Sequence, residues 1–151
     1  MKVAFASDHP GFDLKEKLRA RAAELGHEVV DLGARSRDPV DYPDFGAACG
    51  RAVAAGDVER GVIVCGTGIG ISIAANKVPG CRAALCHDHY TAEMARRHND
   101  ANVLALGARV VGEGVALDAL ETFLATPFDG GRHAPRVEKL RALDQTHGIT
   151  R

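Results

Sequence analysis

Five short, almost continuous apolar runs punctuate the chain: "KVAFAS" (2–7), "EVVDLG" (28–33), "GVIVCG" (61–66), "RAALC" (82–86) and "NVLALG" (102–107). Each is bounded by glycine, aspartate or histidine. Half-exposed strands alternate apolar with polar residues, so unbroken runs of this kind predict strands covered on both faces by helices. The segments between them carry helical spacing. In "GFDLKEKLRARAAEL" the residues Leu14, Leu18, Ala22 and Leu25 fall on one stripe, with Lys15, Arg19 and Glu24 off it. Gly26 then stops that helix. "DFGAACGRAVAAG", "GISIAANK", "DHYTAEMARRH", "GVALDALETFLAT" and "APRVEKLRALDQT" supply further helices. This alternation predicts an α/β protein, a three-layer α/β/α Rossmann-like domain built on a five-stranded parallel sheet. No internal repeat, low-complexity tract or linker interrupts the 151 residues, and the expectation is one domain over 1–151.

Composition narrows the partners. Nineteen basic and 20 acidic residues leave a formal net charge of −1, so no global field draws in nucleic acid or an anionic membrane. An anionic ligand would have to be held by a local basic cluster. The four cysteines, Cys49, Cys65, Cys81 and Cys86, show no C-x-x-C spacing, and a chain with this much apolar core needs no disulfide staples. The first apolar stretch, Val3 to Ala6, is too short for a signal peptide, and no segment reaches the length of a membrane span. Reduced thiols in a cytoplasmic protein are expected.

In open parallel sheets the ligand sits beyond the carboxyl ends of the strands, where loops enter helices. Those positions here are Ser7-Asp8-His9, Gly33-Ala34, Gly66-Thr67-Gly68, His87-Asp88 and Gly107-Ala108-Arg109, a concentration of polar and reactive types. "GTGIG" (66–70) follows a strand and opens a helix, so its backbone N–H groups can converge on an anion or a developing oxyanion. The same glycines would equally serve a bare tight turn. The loop is not a Walker A sequence; it comes nearer the dinucleotide pattern, with Asp88 after the next strand, but Ile71 stands where that pattern has glycine or alanine. Cys49, Cys81 and Cys86 read as small core hydrophobes. Cys65 instead ends a strand beside a helix N-terminus, where the dipole and free N–H groups favour a thiolate.

Asp8 and His9 end the first strand, where Asp8 can cap the following helix, and His98, Asn99 and Asp100 lie between a helix and the last strand. Two histidine-bearing loops make acid–base work worth considering. Arg109 follows the last strand, and "GGRHAPRVEKL" carries Arg132, His133 and Arg136. A helix beginning near that point would put Arg132 and Arg136 on one face, as a phosphate clamp or as a merely solvated basic face. Metal binding is not expected: "HDH" (87–89) has no third ligand at diagnostic spacing.

Together, "SDHPGFDLK", "DYPDF", "CGTGIGISIAANK", "RRHNDANVLALGARVVG" and "GGRHAPRVEKL" resemble the successive signatures of the type B ribose-5-phosphate isomerase family, which includes the galactose-6-phosphate isomerase subunits. The resemblance runs from Lys2 to about Leu143. It implies an aldose–ketose isomerase that uses no metal or cofactor, with Cys65 moving a proton between C1 and C2 through a cis-enediolate. Thr67 and the backbone N–H groups of Gly66, Gly68, Ile69 and Gly70 would stabilise the enediolate oxygen. His98, assisted by Asp8, would open the furanose ring. His9, Arg132 and Arg136 would hold the phosphate, Arg109 would close the site, and Tyr42 and Asn99 would line the sugar. It also implies a homodimer or homotetramer in which the Cys65 side of one subunit meets the His98–Arg109 segment of its partner. One branch of the family places a glutamate at the position of Ile71 and lacks the cysteine; here the cysteine is present. Pro10 and Cys81 depart from commoner residues without touching this set. Other sugar phosphates (allose 6-phosphate, galactose 6-phosphate, erythrulose 4-phosphate) remain open as substrates, as does a non-catalytic sugar-phosphate binding module.

Overall fold

Each apolar run becomes a strand of one sheet in the computed structural model, which describes residues 1–145. The strands are β1 (Lys2–Ser7), β2 (Glu28–Asp31), β3 (Arg60–Cys65), β4 (Ala83–Leu85) and β5 (Val103–Gly107). All pairings are parallel and the order is β2-β1-β3-β5-β4. The connecting helices are α1 (Phe12–Glu24), α2 (Tyr42–Ala54), α3 (Ile69–Asn76), α4 (His89–Asn99), α5 (Glu113–Ala125) and α6 (Ala134–Asp144). A 3₁₀ turn at Gly131–His133 leads into α6, and the expected end of that helix at Thr146 lies outside the described residues. α2 starts two residues earlier than its apolar pattern, because Pro43 has a φ suited to a first helical turn.

The helices cover both faces of the sheet, as the unbroken apolar strands require. On one face α1, α4 and α5 bury Leu18, Ala92 and Phe123 with Phe5, Val62 and Leu104. On the other, α2 and α3 bury Cys49, Val53, Ile71 and Ala75 with Ala4, Ile63 and Ala105. Each large side chain withdrawn from water in this way contributes about 1.5–3 kcal/mol. Among the described residues no helix is long and apolar enough to cross a membrane.

The α1 stripe departs from its expected register at two places. Leu14, Leu18 and Ala22 are buried, but Leu25 is 42% exposed while Lys15 is fully buried. Lys15 turns inward because polar partners await it. Its Nζ lies 2.8 Å from Asp31 Oδ1 at the end of β2 and donates to the Ala34 carbonyl at 2.5 Å. Burial tends to push the Asp31 carboxyl up. The Lys15 hydrogen bond, the Gly33 N–H and the charges of Lys15 and Arg19 outweigh it, so its pKa lies below the usual range.

Chain connectivity locates the functional edge. From β1 the chain crosses to β2 on one side, while β3 lies on the other. The strand order therefore reverses between β1 and β3, and a crevice opens at their carboxyl ends. Asp8 closes its floor, donating its N–H to the Val64 carbonyl at 3.3 Å.

The Lys15–Asp31 pair generates a pH prediction. A carboxyl whose folded pKa is depressed adds stability above its unfolded pKa and loses it as pH falls through the folded value. Asp31→Asn should therefore lower the urea midpoint at pH 7, and the gap to wild type should close below about pH 4. Denaturation curves at pH 7 and pH 3 check this; a gap unchanged between them contradicts it.

Candidate active site

β3 delivers Cys65 to the crevice, with the residue only 4% exposed. The chain then turns through Gly68, at φ 79°, into α3. That turn is pressed against the end of β5. A Cβ on Gly68 would lie 2.5 Å from Leu85 Cδ1 and 2.8 Å from the Leu106 carbonyl carbon, and one on Gly107 would lie 2.5 Å from the Thr67 oxygen. The close approach aims the turn inward: the Gly68 N–H donates to Cys65 Sγ at 3.1 Å, and the Ile69 N–H donates to Thr67 Oγ1 at 3.2 Å. A donor at a helix N-terminus is the electrostatic setting that suits a charged sulfur. The Tyr42 ring backs Gly70 so closely that a Cβ there would sit 2.6 Å from it. The remaining cysteines are packing. Burial pushes the Cys49 thiol well up, that of Cys81 to about 12 and that of Cys86 to about 11.

Asp8, His9 and Arg109 complete this edge. Asp8 Oδ1 accepts from the Gly11 N–H at 3.0 Å, so it closes the entry to α1 while standing at the crevice. His9 Nδ1 accepts from the Val40 N–H at 3.2 Å, which leaves Nε2 as the ring's donor. Arg109 donates its N–H to the Gly66 carbonyl at 2.9 Å, and its Nη1 hangs 3.5 Å from where a Gly66 Cβ would be. Arg109 thus belongs beside Cys65 of its own chain. The strand-end reading of the sequence had placed it at this edge, whereas the resemblance had grouped it with His98.

His98 and Asn99 occupy the last turn of α4. The His98 ring stacks on that of His133 with centroids 4.2 Å apart and planes 12° off parallel. Arg132 Nε donates to His133 Nε2 at 3.4 Å, and both oxygens of Asp129 accept from Arg97 Nε at 3.1–3.2 Å. Burial and the neighbouring His98, Arg132 and Arg136 push His133 down. Arg132 lies in the 3₁₀ turn and Arg136 in α6, so they do not share one helix as the four-residue spacing predicted. Among the described residues Arg109, Arg132 and Arg136 enter no ion pair, unlike Arg97 or Arg21, and their guanidinium groups are available to an anion.

The donor atoms of His98, Asp129 and His133 lie within 4.8 Å of one another, the one grouping among the described residues that a metal ion would recognise. Its chemistry does not fit an ion well. Asp129 is engaged by Arg97, His133 Nε2 by Arg132, and near-parallel rings do not converge their lone pairs. The "HDH" segment is committed elsewhere. Asp88 caps α4 by accepting from the Thr91 N–H at 2.7 Å, and His89 pairs with Asp118. Asp88 has therefore no carboxylate to offer a ribose, as the dinucleotide pattern would need. Sequence reasoning named His133 without a role and missed Asp129 and Arg97, whose pairing spans 32 residues and leaves no local pattern.

The two groups of residues stand at opposite ends of the sheet. Cys65 is in register with Gly107 at the end of β5, whereas α4 runs back to deliver His98 before β5 begins at Val103. Four residue steps of strand separate those levels, about 13 Å at 3.3 Å per residue. Within one chain no direct hydrogen bond, with a reach of about 3 Å, joins the two groups.

The close packing at Gly68 is directly testable. Gly68→Ala meets backbone atoms of β5 and should cost more than about 2 kcal/mol. Gly56 has a similar φ of 78° with open space around it, and Gly56→Ala should cost only about 1 kcal/mol. Equal losses in thermal or urea melts would contradict the packing account.

Comparison with known proteins agrees with this fold. Residues 3–140 match the family described as Ribose/Galactose Isomerase. The chain is 47% identical over 144 residues to ribose-5-phosphate isomerase B of Escherichia coli, covering 95% of this chain and 97% of that one. It is 42% identical over 144 residues to D-erythrulose-4-phosphate isomerase of Pectobacterium atrosepticum, covering 93% of each. The solved structure of ribose-5-phosphate isomerase B from Clostridium thermocellum superposes with a TM-score of 0.96 at 51% identity, covering 98% of this chain and all of the other. That of the type B enzyme from Trypanosoma cruzi gives 0.94 at 50% identity, covering 97% and 100%. With the family model matching nearly the whole chain and the fold shared with these solved structures, the chain belongs to the Ribose/Galactose Isomerase family.

Proposed function

We propose that this protein is an aldose–ketose isomerase that interconverts ribose 5-phosphate and ribulose 5-phosphate in the cytoplasm, as one domain over 1–151 whose active site is completed by a second copy of the chain. The observation that carries the reading is Cys65 at the crevice, its sulfur held by the Gly68 N–H beside the Thr67 hydroxyl. A base and an oxyanion site in one turn are what proton transfer next to a carbonyl requires. Likeness over nearly the full length to ribose-5-phosphate isomerase B supports the pentose substrate.

The chemistry begins with ring opening. His98 of the second copy, with Asp8, moves a proton between the ring oxygen and O1 and frees the aldehyde. Cys65 then takes the C2 proton. The electron pair flows toward the carbonyl, and the cis-enediolate oxygen is met by Thr67 and the N–H groups of the 66–70 turn. Returning the proton to C1, with the O2 proton passing to O1, gives the ketose. His9 and Arg109 of one copy, with Arg132 and Arg136 of the other, grip the phosphate, while Tyr42 and Asn99 flank the sugar. Binding energy from that remote phosphate orients the reacting carbons.

The surface around α3 supports assembly. Ile69 and Ile73, one helical turn apart, are 53% and 54% exposed. The neighbouring edge strand is already blocked at Ala83, whose N–H and carbonyl pair with the Asn76 side chain at 2.8 and 2.9 Å. A second copy would therefore dock through helix faces rather than extend the sheet. A two-fold axis running across the strands on this side would put the Cys65 end of each copy beside the His98 end of the other.

A coupled assay with ribose 5-phosphate, run on wild type and Cys65→Ala, tests the reaction. Turnover should fall by more than about 10³-fold in the variant. Wild-type protein inert toward the pentose, yet active on erythrulose 4-phosphate, would favour a four-carbon substrate, the reading that the Pectobacterium relative supports. Ile73→Asp should shift the protein toward monomer in sedimentation and lose turnover with it; a fully active monomer contradicts the shared site.

A further inference from the structure

His133 has no part in the mechanism above, yet it is one of the few buried polar residues, at 7% exposure. It touches two functional groups at once. One face of its ring carries the His98 imidazole, stacked at 4.2 Å. Its Nε2 accepts a long hydrogen bond, 3.4 Å, from Arg132 Nε. His98 sits in the last turn of α4, the kind of helix end that frays, and a flat partner fixes the plane in which its nitrogens point. Arg132 lies in a three-residue 3₁₀ turn that follows Gly130 and begins at Gly131, both at positive φ, and among the described residues it pairs with no carboxylate.

Building on the isomerase reading, we propose that His133 is a positioning residue that ties the ring-opening histidine to the phosphate clamp, orienting His98 by stacking and Arg132 by accepting its Nε–H. The acceptor role requires an unprotonated Nε2. The surroundings favour that form. Burial, His98, Arg132 and Arg136 all push the His133 pKa down, and only Asp129 opposes them, itself held by Arg97. A protonated His133 would face a guanidinium and stack on a second imidazole, so the arrangement is consistent only with a neutral ring.

The two contacts can be separated by substitution. His133→Phe keeps a flat ring under His98 and removes the acceptor. His133→Gln keeps an oxygen near the Nε2 position and removes the stack. His133→Ala removes both. Steady-state kinetics on ribose 5-phosphate should show kcat down at least about 10-fold and KM up several-fold in the alanine variant. Phenylalanine should restore kcat to within about 3-fold of wild type but leave KM raised, and glutamine should do the reverse. Melting curves identify any variant that fails to fold; the phenylalanine and glutamine variants retain side-chain volume and carry the test if alanine does not. Wild-type kinetics in the phenylalanine and glutamine variants, or kcat and KM moving together in both, would overturn the coupling. Wild-type protein without turnover would overturn the isomerase reading instead, and this proposal with it.

Discussion

A parallel strand–helix repeat sends every strand the same way and every helix back. The carboxyl ends of the strands share one edge of the sheet, and the carboxyl ends of the helices share the other. In this protein both edges carry reactive groups. Asp8, His9, Cys65, Thr67 and Arg109 stand at the first; His98, Asn99, Arg132 and Arg136 stand at the second. The fold that positions each group also sets them at opposite edges of the sheet, about 13 Å apart along the strands. That separation is what motivates the proposed assembly of two copies.

Within the first edge, the decisive feature is how tightly the 66–70 turn lies against β5. Space for nothing larger than hydrogen at Gly68 and Gly107 brings the turn's N–H groups onto the sulfur and the threonine oxygen. Packing thereby sets an electrostatic arrangement without any side chain larger than a hydroxyl. The second edge is built differently, from ring stacking and guanidinium contacts between α4 and the 129–133 segment, which are distant in sequence. Its geometry depends on tertiary structure to a greater degree.

That difference explains what could be read from the chain beforehand. The strands were legible because burial on both faces leaves unbroken apolar runs, and the crevice residues followed because strand ends are local features. Cys65, Thr67 and the glycines are consecutive, so one turn declared them. Lys15 was misplaced because its inward turn is compensated by Asp31, which lies 16 positions away. Arg109 was legible at the crevice as a strand-end residue; only the resemblance, by treating 98–109 as one segment across β5, set it with His98. The role of His133 was invisible for the same reason: its partner His98 is 35 positions upstream on another helix.

Subunit complementation addresses the divided site most directly. Cys65→Ala and His98→Ala chains are each inactive alone if both residues are required. Co-expressed, random pairing makes about half of the dimers mixed, and each mixed dimer contains one site with both residues intact, so activity should return to about a quarter of the wild-type level. Co-expressed chains that stay as inactive as the separate parents, despite verified mixed dimers, would contradict the shared site.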